Sequence, residues 1–169
     1  GEDRFGQTNA AVQFFGDGSA VATNDGSVEQ YGELSVSYWI KRQGGDVSVV
    51  ALGSSSGGSW KSVFGTSCGI RYADGCGNGS QGFVSGSGAF QGAWHHVVMT
   101  THGLGQQFSV YVDGELLGVA NAGGGGSCST TAIHLGVEIW SAPEYLIGFI
   151  DDLGIWNRQL TSEEVAQLY

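Results

Sequence analysis

The groups in this 169-residue sequence that can do chemistry are its carboxylates, imidazoles, thiols and large aromatic rings, and their spacing limits what that chemistry is. Asp151 and Asp152 stand together in FIDDLGIW (149–156), where strict alternation along a strand would send Asp151 to the core side with Phe149, Leu153 and Ile155. A carboxylate on that side needs compensation, from backbone N–H donors or from a bound cation. His95 and His96 follow Trp94, and paired imidazoles raise acid–base chemistry as a question. Three cysteines, Cys68, Cys76 and Cys128, allow one disulfide with a thiol left over. Their spacing lacks the paired C-x2-C clusters of zinc sites. A Cys68–Cys76 bridge would staple the glycine-rich stretch CGIRYADGC, although Cys128 can replace either partner. A formed bridge implies an oxidising compartment.

Sugar recognition asks for a flat aromatic face ringed by amide, carboxylate or hydroxyl groups, because a pyranose offers C–H patches bordered by hydroxyls. Trp39 lies on the polar face of its strand. Trp60 in SSSGGSWKS, and Trp140 with Tyr145 in EIWSAPEYL, lie in loops where a core role is less natural, and Tyr72, Asp74 and Asn78 are candidates for the same rim. Trp94 and Trp156 are read as structural.

Short alternating runs must position these residues. ELSVSYWIKR (33–42) puts Leu34, Val36, Tyr38 and Ile40 on one face and Ser35, Ser37, Trp39 and Lys41 on the other, the pattern of a strand with one side in a core. Comparable runs are 10–16, 47–53, 62–73, 82–86, 95–101, 107–120, 132–139 and 149–156, predicting about nine strands joined by turns, a sandwich. Asp113-Gly114 between YV and ELLG marks a two-residue type I′ hairpin, with Val110 and Val112 predicted to be buried, and Asp74-Gly75 is a weaker instance. Only the C-terminus reads helical: Thr161 can cap with Glu164 as its box partner, and Leu160 and Val165 hold the staple positions.

Composition excludes several classes. Glycine is 31 of 169 residues against a single proline, without a Gly-X-Y period, which suits many strands and tight turns. Six basic residues against 16 acidic ones give a net charge of -10, a field that repels nucleic acid. Acidic surfaces of this kind suit extracellular life and hard cations. No run of about 18 apolar residues is present to span a bilayer, so no membrane insertion is expected. No basic-then-apolar leader opens the chain at Gly1, so a mature or excised single domain over 1–169 is expected.

Five strings together resemble the bacterial laminin-G-like jelly-roll domains of the concanavalin A-like lectin/glucanase superfamily: DRFGQTNAAVQFFGDGS (3–19), LSVSYWIK (34–41), WHHVVMTTHG (94–103), VYVDGELLG (110–118) and IGFIDDLGIWNRQLTSEEVAQLY (147–169). The resemblance implies an all-β fold, a two-sheet antiparallel jelly-roll sandwich closed by one short C-terminal helix. It implies a non-catalytic, carbohydrate-binding recognition module of an extracellular or cell-surface protein. The alternative is a structural or protein-adhesive domain of a surface filament or multidomain adhesin. Partners would be a glycan or a cell-surface protein. No enzyme is expected: glycosidases of this fold carry an E-x-D-x-x-E strand that is missing here, and the histidines belong to a strand-opening WHH motif. In the superfamily a structural calcium is often held by an Asp of the FIDDLG strand and a second acid near the N-terminus, which implies Asp151, Asp152 and Asp17 as ligands. The family's usual first strand has no counterpart before DRFG. An open edge is therefore expected beside 149–156, filled by a strand of a neighbouring subunit or domain or covered by the segment around Arg4 and Phe5.

Overall fold

In the computed structural model the described residues are 1–18, 21–23, 32–44, 47–53, 59–65, 69–74, 80–85, 91–103, 106–121, 133–137 and 145–169, with only the backbone described for 21–23, 44, 47–48, 51–53, 59–65, 69–74 and 80–85. In chain order the strands are β1 Val12–Phe15, β2 Val21–Thr23, β3 Leu34–Gly44, β4 Val47–Gly53, β5 Ser59–Gly65 and β6 Gly69–Asp74. They continue as β7 Ser80–Ser85, β8 His95–Thr101, β9 Gln107–Val112, β10 Glu115–Asn121, β11 Ile133–Leu135 and β12 Ile147–Trp156, followed by α1, Ser162–Leu168. Among the described residues they form two antiparallel sheets of six, ordered β1-β12-β3-β8-β9-β10 and β2-β11-β4-β5-β6-β7. The chain folds as the two-sheet jelly-roll sandwich with one C-terminal helix that its strings imply.

Alternation in β3 has the predicted consequence, with Leu34, Val36, Tyr38 and Ile40 fully buried against Val97, Met99, Phe108 and Val110 from β8 and β9. Ile133, Val49 and Val50 complete this core from the second sheet. Two strand expectations need correction. The run 62–73 is not one strand: Gly65 pairs with Gly69, so the chain reverses there and makes the β5–β6 hairpin. Asp74 pairs with Ser80, so β6 and β7 do form a hairpin, but residues 75–79 separate them rather than two turn residues.

The β9–β10 hairpin is as predicted. Val112 pairs with Glu115 across Asp113 (φ 52) and Gly114 (φ 80), both in the left-handed region that a type I′ turn demands. Val110 is buried, and Val112 is partly buried against the same core. Thr161 caps α1 with the full box: its Oγ1 accepts from Glu164 N, and the Glu164 carboxylate accepts from Thr161 N. Arg158 grips that carboxylate with both nitrogens at 2.6 and 2.7 Å, and this pairing holds Glu164 at a pKa of about 2. The staple residues Leu160 and Val165 pack with Val98, Tyr111 and Trp156, which fixes α1 on the outer face of the first sheet.

The edge beside 149–156 is covered in two ways. β1 pairs with Ile147 to Ile150 of β12, and past Ile150 the side chain of Arg4 lies against Asp151 and Asp152. Gly148, at φ 152 in β12, faces β3 so closely that a Cβ there would collide with the Lys41 carbonyl.

Candidate binding pocket

The pocket is built on a row of residues running across three strands. Asp151 of β12 pairs with Trp39 of β3, and Trp39 pairs with His96 of β8. All three lie on the outer face of the sheet, and for Asp151 this overturns the sequence expectation. Asp151 stands opposite Trp39 and Gly154 opposite Ser37, so Asp152 and Leu153 together face the single residue Tyr38. That is a β-bulge, with Asp152 at φ 45, a conformation Asp tolerates better than most side chains. The extra residue switches the alternation. Ile150 faces the core before the bulge and Leu153 and Ile155 face it afterwards, so Asp151 emerges outside. The sequence did not signal the switch, because Ile147 and Phe149 at odd positions before Asp151 are as apolar as Leu146 and Ile150 at even ones.

The N-terminal loop brings the fourth component. Asp3 Oδ1 accepts from the N–H groups of Phe5 (2.9 Å) and Gln7 (2.8 Å), and Asp3 N donates to Gln7 O, so one aspartate folds residues 3–7 into a tight turn. The N-terminal amine of Gly1 donates to Ala11 O at 2.8 Å, tying this loop to the start of β1. Arg4 and Phe5 therefore project over the sheet. The Arg4 guanidinium lies 4.3 Å from the Phe5 ring centroid and 4.6 Å from that of Trp39, donates to Asp152 Oδ2, and stands 3.6 Å from Asp151 Oδ2.

Asp151 is 12% exposed and accepts from the Asp152 N–H at 2.9 Å. Burial, then the neighbouring Asp152 charge, raise its pKa above the ordinary aspartate value, while the Asp152 N–H and Arg4 pull it back. On the other side of Trp39, His96 stacks at 5.1 Å and Tyr169 at 5.6 Å between ring centroids. His96 is 1% exposed, and burial lowers its pKa below 6.5. Its Nε2 is 2.8 Å from Ser37 Oγ, and among the described residues its Nδ1 has no hydrogen-bond partner.

Arg4, Phe5, Trp39, Trp94 and Tyr169 enclose an open pocket of about 460 Å³. Trp94 leans on Phe149 at 6.3 Å between centroids and presents its remaining surface to the pocket. Three of these residues, Arg4, Phe5 and Tyr169, escaped the sequence reading of sugar contacts, and Trp94 was read as structural only. Trp39 was named, and it forms a wall whose ring is engaged by Arg4, His96 and Tyr169.

The other named candidates lie elsewhere. Trp60, Tyr72 and Asp74 belong to the second sheet, where Trp60 pairs with Asp74 and Tyr72 with Ser62, so the fold does not bring them to Trp39. Tyr145 is half-buried beside Gly18 and bridges Val137, away from the pocket. Trp140 and Asn78 lie outside the described residues, as do Cys68 and Cys76 of the expected disulfide.

The three acids named for calcium do not converge. Phe15 pairs with Ile147, four residues from Asp151 and so about 13 Å away along the strand, and Gly16 N then bonds to Leu146 O, which keeps Asp17 at that distant end. Among the described residues no group of three or more His, Cys, Asp or Glu side chains is placed to hold a metal ion. The cation that meets Asp151 and Asp152 is Arg4.

The Ser37–His96 contact has the atoms of a hydroxyl–imidazole dyad without its working features. Both side chains are buried, the His96 ring stacks against Trp39 and Tyr169, and among the described residues no carboxylate orients Nδ1. His95 is held instead by Asp113, Nδ1 to Oδ2 at 2.8 Å, while Asp113 Oδ1 accepts from His96 N at 2.9 Å. The WHH motif is thus clamped to the turn of the neighbouring hairpin.

A sandwich of two six-stranded sheets carrying an aromatic pocket on one outer face is the architecture of a lectin-like binding domain. The chain belongs to the Laminin_G_3 family of the concanavalin A-like lectin/glucanases superfamily, whose model matches residues 15–166. It is 28% identical over 99 residues to the rat and mouse (Rattus norvegicus and Mus musculus) "Sushi, von Willebrand factor type A, EGF and pentraxin domain-containing protein 1"; the match takes in 54% of the chain and 3% of those relatives. Among solved structures it is similar to the receptor binding domain of botulinum neurotoxin D, with a TM-score of 0.70 at 16% identity, covering 92% of this chain and 42% of that one. It is likewise similar to a heptameric SAP-like pentraxin from Limulus polyphemus, with a TM-score of 0.61 at 15% identity, covering 88% and 81%. At these identities the likeness shows a shared fold. Together they mark the chain as a binding module in general terms, and among the described residues no helix is long and apolar enough to cross a membrane.

Proposed function

We propose that this domain is a non-catalytic, carbohydrate-binding recognition module of an extracellular or cell-surface protein. The observation that carries the reading is the outer-face pocket, where Trp94, Phe5 and Tyr169 offer aromatic surface beside a charged polar cluster of Arg4, Asp151 and Asp152. A pyranose ring uses that combination, stacking its C–H face and sharing its hydroxyls. The family's place in the concanavalin A-like lectin/glucanases superfamily and a structural neighbour described as a receptor binding domain support it.

A glycan array tests the proposal, probed with the wild type, Trp94→Ala and Trp60→Ala, each with calcium and with a chelator. Specific hits that weaken about tenfold in Trp94→Ala, and not in Trp60→Ala, are expected. Hits lost only in Trp60→Ala would move the site to the second sheet. Hits that vanish with the chelator would bring calcium into the proposal, by a route other than the three acids above. The protein-adhesive alternative has an observation of its own: Phe15 and Ile147, cross-strand neighbours at the β1 edge, are 60% and 41% exposed. An array without hits leaves that alternative standing.

A further inference from the structure

Two walls of the pocket stand against one buried histidine. The His96 ring, 1% exposed, stacks on Trp39 at 5.1 Å and 29° and on Tyr169 at 6.2 Å and 21°, and both of those rings line the pocket. Its Nε2 meets Ser37 Oγ at 2.8 Å, while among the described residues Nδ1 has no hydrogen-bond partner. A neutral imidazole tolerates that arrangement, donating from Nε2 and leaving a bare lone pair on Nδ1. An imidazolium does not, because both nitrogens then carry protons and the one on Nδ1 finds no acceptor where solvent is excluded. The groups facing His96 do not compensate. β3 contributes Ser37 and Trp39, both uncharged, and the end of α1 contributes the Tyr169 phenol. The β9–β10 turn contributes Asp113, whose carboxylate is already engaged by the His96 N–H and by His95 Nδ1. Burial, with the Arg4 charge added to it, outweighs the pull of the Asp113 and Asp152 carboxylates and holds the pKa below the ordinary histidine value.

Of the two stacked rings, Tyr169 is the one that can withdraw. Trp39 is fixed within β3, with the Arg4 guanidinium 4.6 Å from its ring. Tyr169 is the C-cap of α1, is 62% exposed, and rests on the hairpin turn, where a Cβ at Gly114 would come within 3.3 Å of it. Its withdrawal hydrates His96 without breaking a strand pairing or the Val98, Leu160 and Val165 cluster that holds α1. We propose that Tyr169 is an acid-released latch on the pocket: protonation of His96 frees Tyr169 from Trp39 and removes one wall, so that binding at this face is present at neutral pH and lost in acid. This rests on the carbohydrate reading above and adds to it the regulation of the same pocket. The latched form binds fewer protons than the released one, so latching is fully favoured above 6.5 and is lost as the pH falls through the folded value.

Two measurements on the full chain test the latch. In ligand-free protein, NMR follows the His96 imidazole and the Tyr169 ring from pH 8 to pH 5. The Tyr169 ring is expected to lose its contacts with Trp39 and His96 at the midpoint where His96 titrates, below 6.5, while the signals of the buried Tyr38 and Phe108 stay in place. A glycan array is then probed at pH 7.5 and pH 5 with wild type, Trp94→Ala and His96→Gln, each verified as folded by circular dichroism. Trp94-dependent hits are expected to weaken about tenfold at pH 5 in wild type, as when roughly nine molecules in ten are unlatched, and to change by less than about twofold in His96→Gln. That variant keeps the titrations of Asp151 and of the His95–Asp113 pair, so the difference isolates His96. A His96 that titrates while Tyr169 stays stacked, or that remains neutral down to pH 5, would overturn the latch. So would hits equally strong at both pH values in wild type, or weakened equally in wild type and His96→Gln, and either result leaves the carbohydrate reading intact. An array with no Trp94-dependent hit at either pH would instead sink the carbohydrate reading at this pocket, and the ligand-free titration alone then decides the latch.

Discussion

Arg4 is the residue on which the pocket's electrostatics turn, because it stands between a half-buried carboxylate, an exposed one and two aromatic rings. Replacing it with Ala removes the charge that offsets Asp151 and also the packing over Trp39. An exposed ion pair by itself contributes little, so the expected loss at neutral pH is about 1 kcal/mol, most of it from the cation–π contact and the unpaired Asp151. The pH dependence has a definite sign. Asp151 has a raised pKa when folded, so its effect on stability is most favourable below 3.8 and is lost as the pH rises through the folded value. Without Arg4 that value rises further. Thermal melts of Arg4→Ala and wild type should therefore differ most at pH 7 and converge as the pH is lowered toward 4; a difference that stays constant across the range would show that Arg4 acts through packing alone.

At the scale of elements, the β9–β10 hairpin does more than reverse the chain. Asp113 supplies the left-handed backbone of the turn and, with its two carboxylate oxygens, holds His96 N and His95 Nδ1 at the start of β8. Asp113→Ala loses both bonds and puts a strained residue in the turn, for an expected cost of about 2 kcal/mol in urea denaturation, whereas Asp113→Asn, which tolerates the conformation and keeps one acceptor, should cost about half as much. Equal costs for the two variants would show that the carboxylate clamp contributes nothing beyond the turn. The turn itself was legible, because Asp-Gly between alternating runs requires no knowledge of the rest of the fold. Its second role was not, since nothing in VYVDGELLG indicates that residues 95 and 96 will lie alongside.

For the whole molecule, the outer face of the first sheet is where the two ends of the chain meet. The loop at 3–7 covers it from one side and α1 with Tyr169 from the other, and His96 is buried between strand and stack as a result. Its protonation state therefore reports on that closure. Because burial lowers its folded pKa below 6.5, the stability His96 contributes is fully present above that pH and is lost as the pH falls through the window between 6.5 and the folded value. Wild type should lose melting temperature from pH 7.5 to pH 5, and His96→Gln should show a shallower slope over the same window. Parallel slopes would mean that the imidazole is hydrated and that the termini do not close over the sheet.

What the sequence determined by itself is what depends on neighbours along the chain. Period-two alternation placed Leu34, Val36, Tyr38 and Ile40 in the core, a dipeptide set the β9–β10 turn, and a capping box with its staple started α1 where it begins. Each follows from interactions spanning a few residues, and a motif order carried the family with them. The tertiary structure decided the rest. The bulge at Asp152 and Leu153 took Asp151 off the core face, because pairing with β3, rather than alternation within β12, sets which side a residue finally occupies. The pocket collects residues 4, 5, 39, 94 and 169, distant positions that only sheet register and the folding back of both ends bring within reach of one ligand.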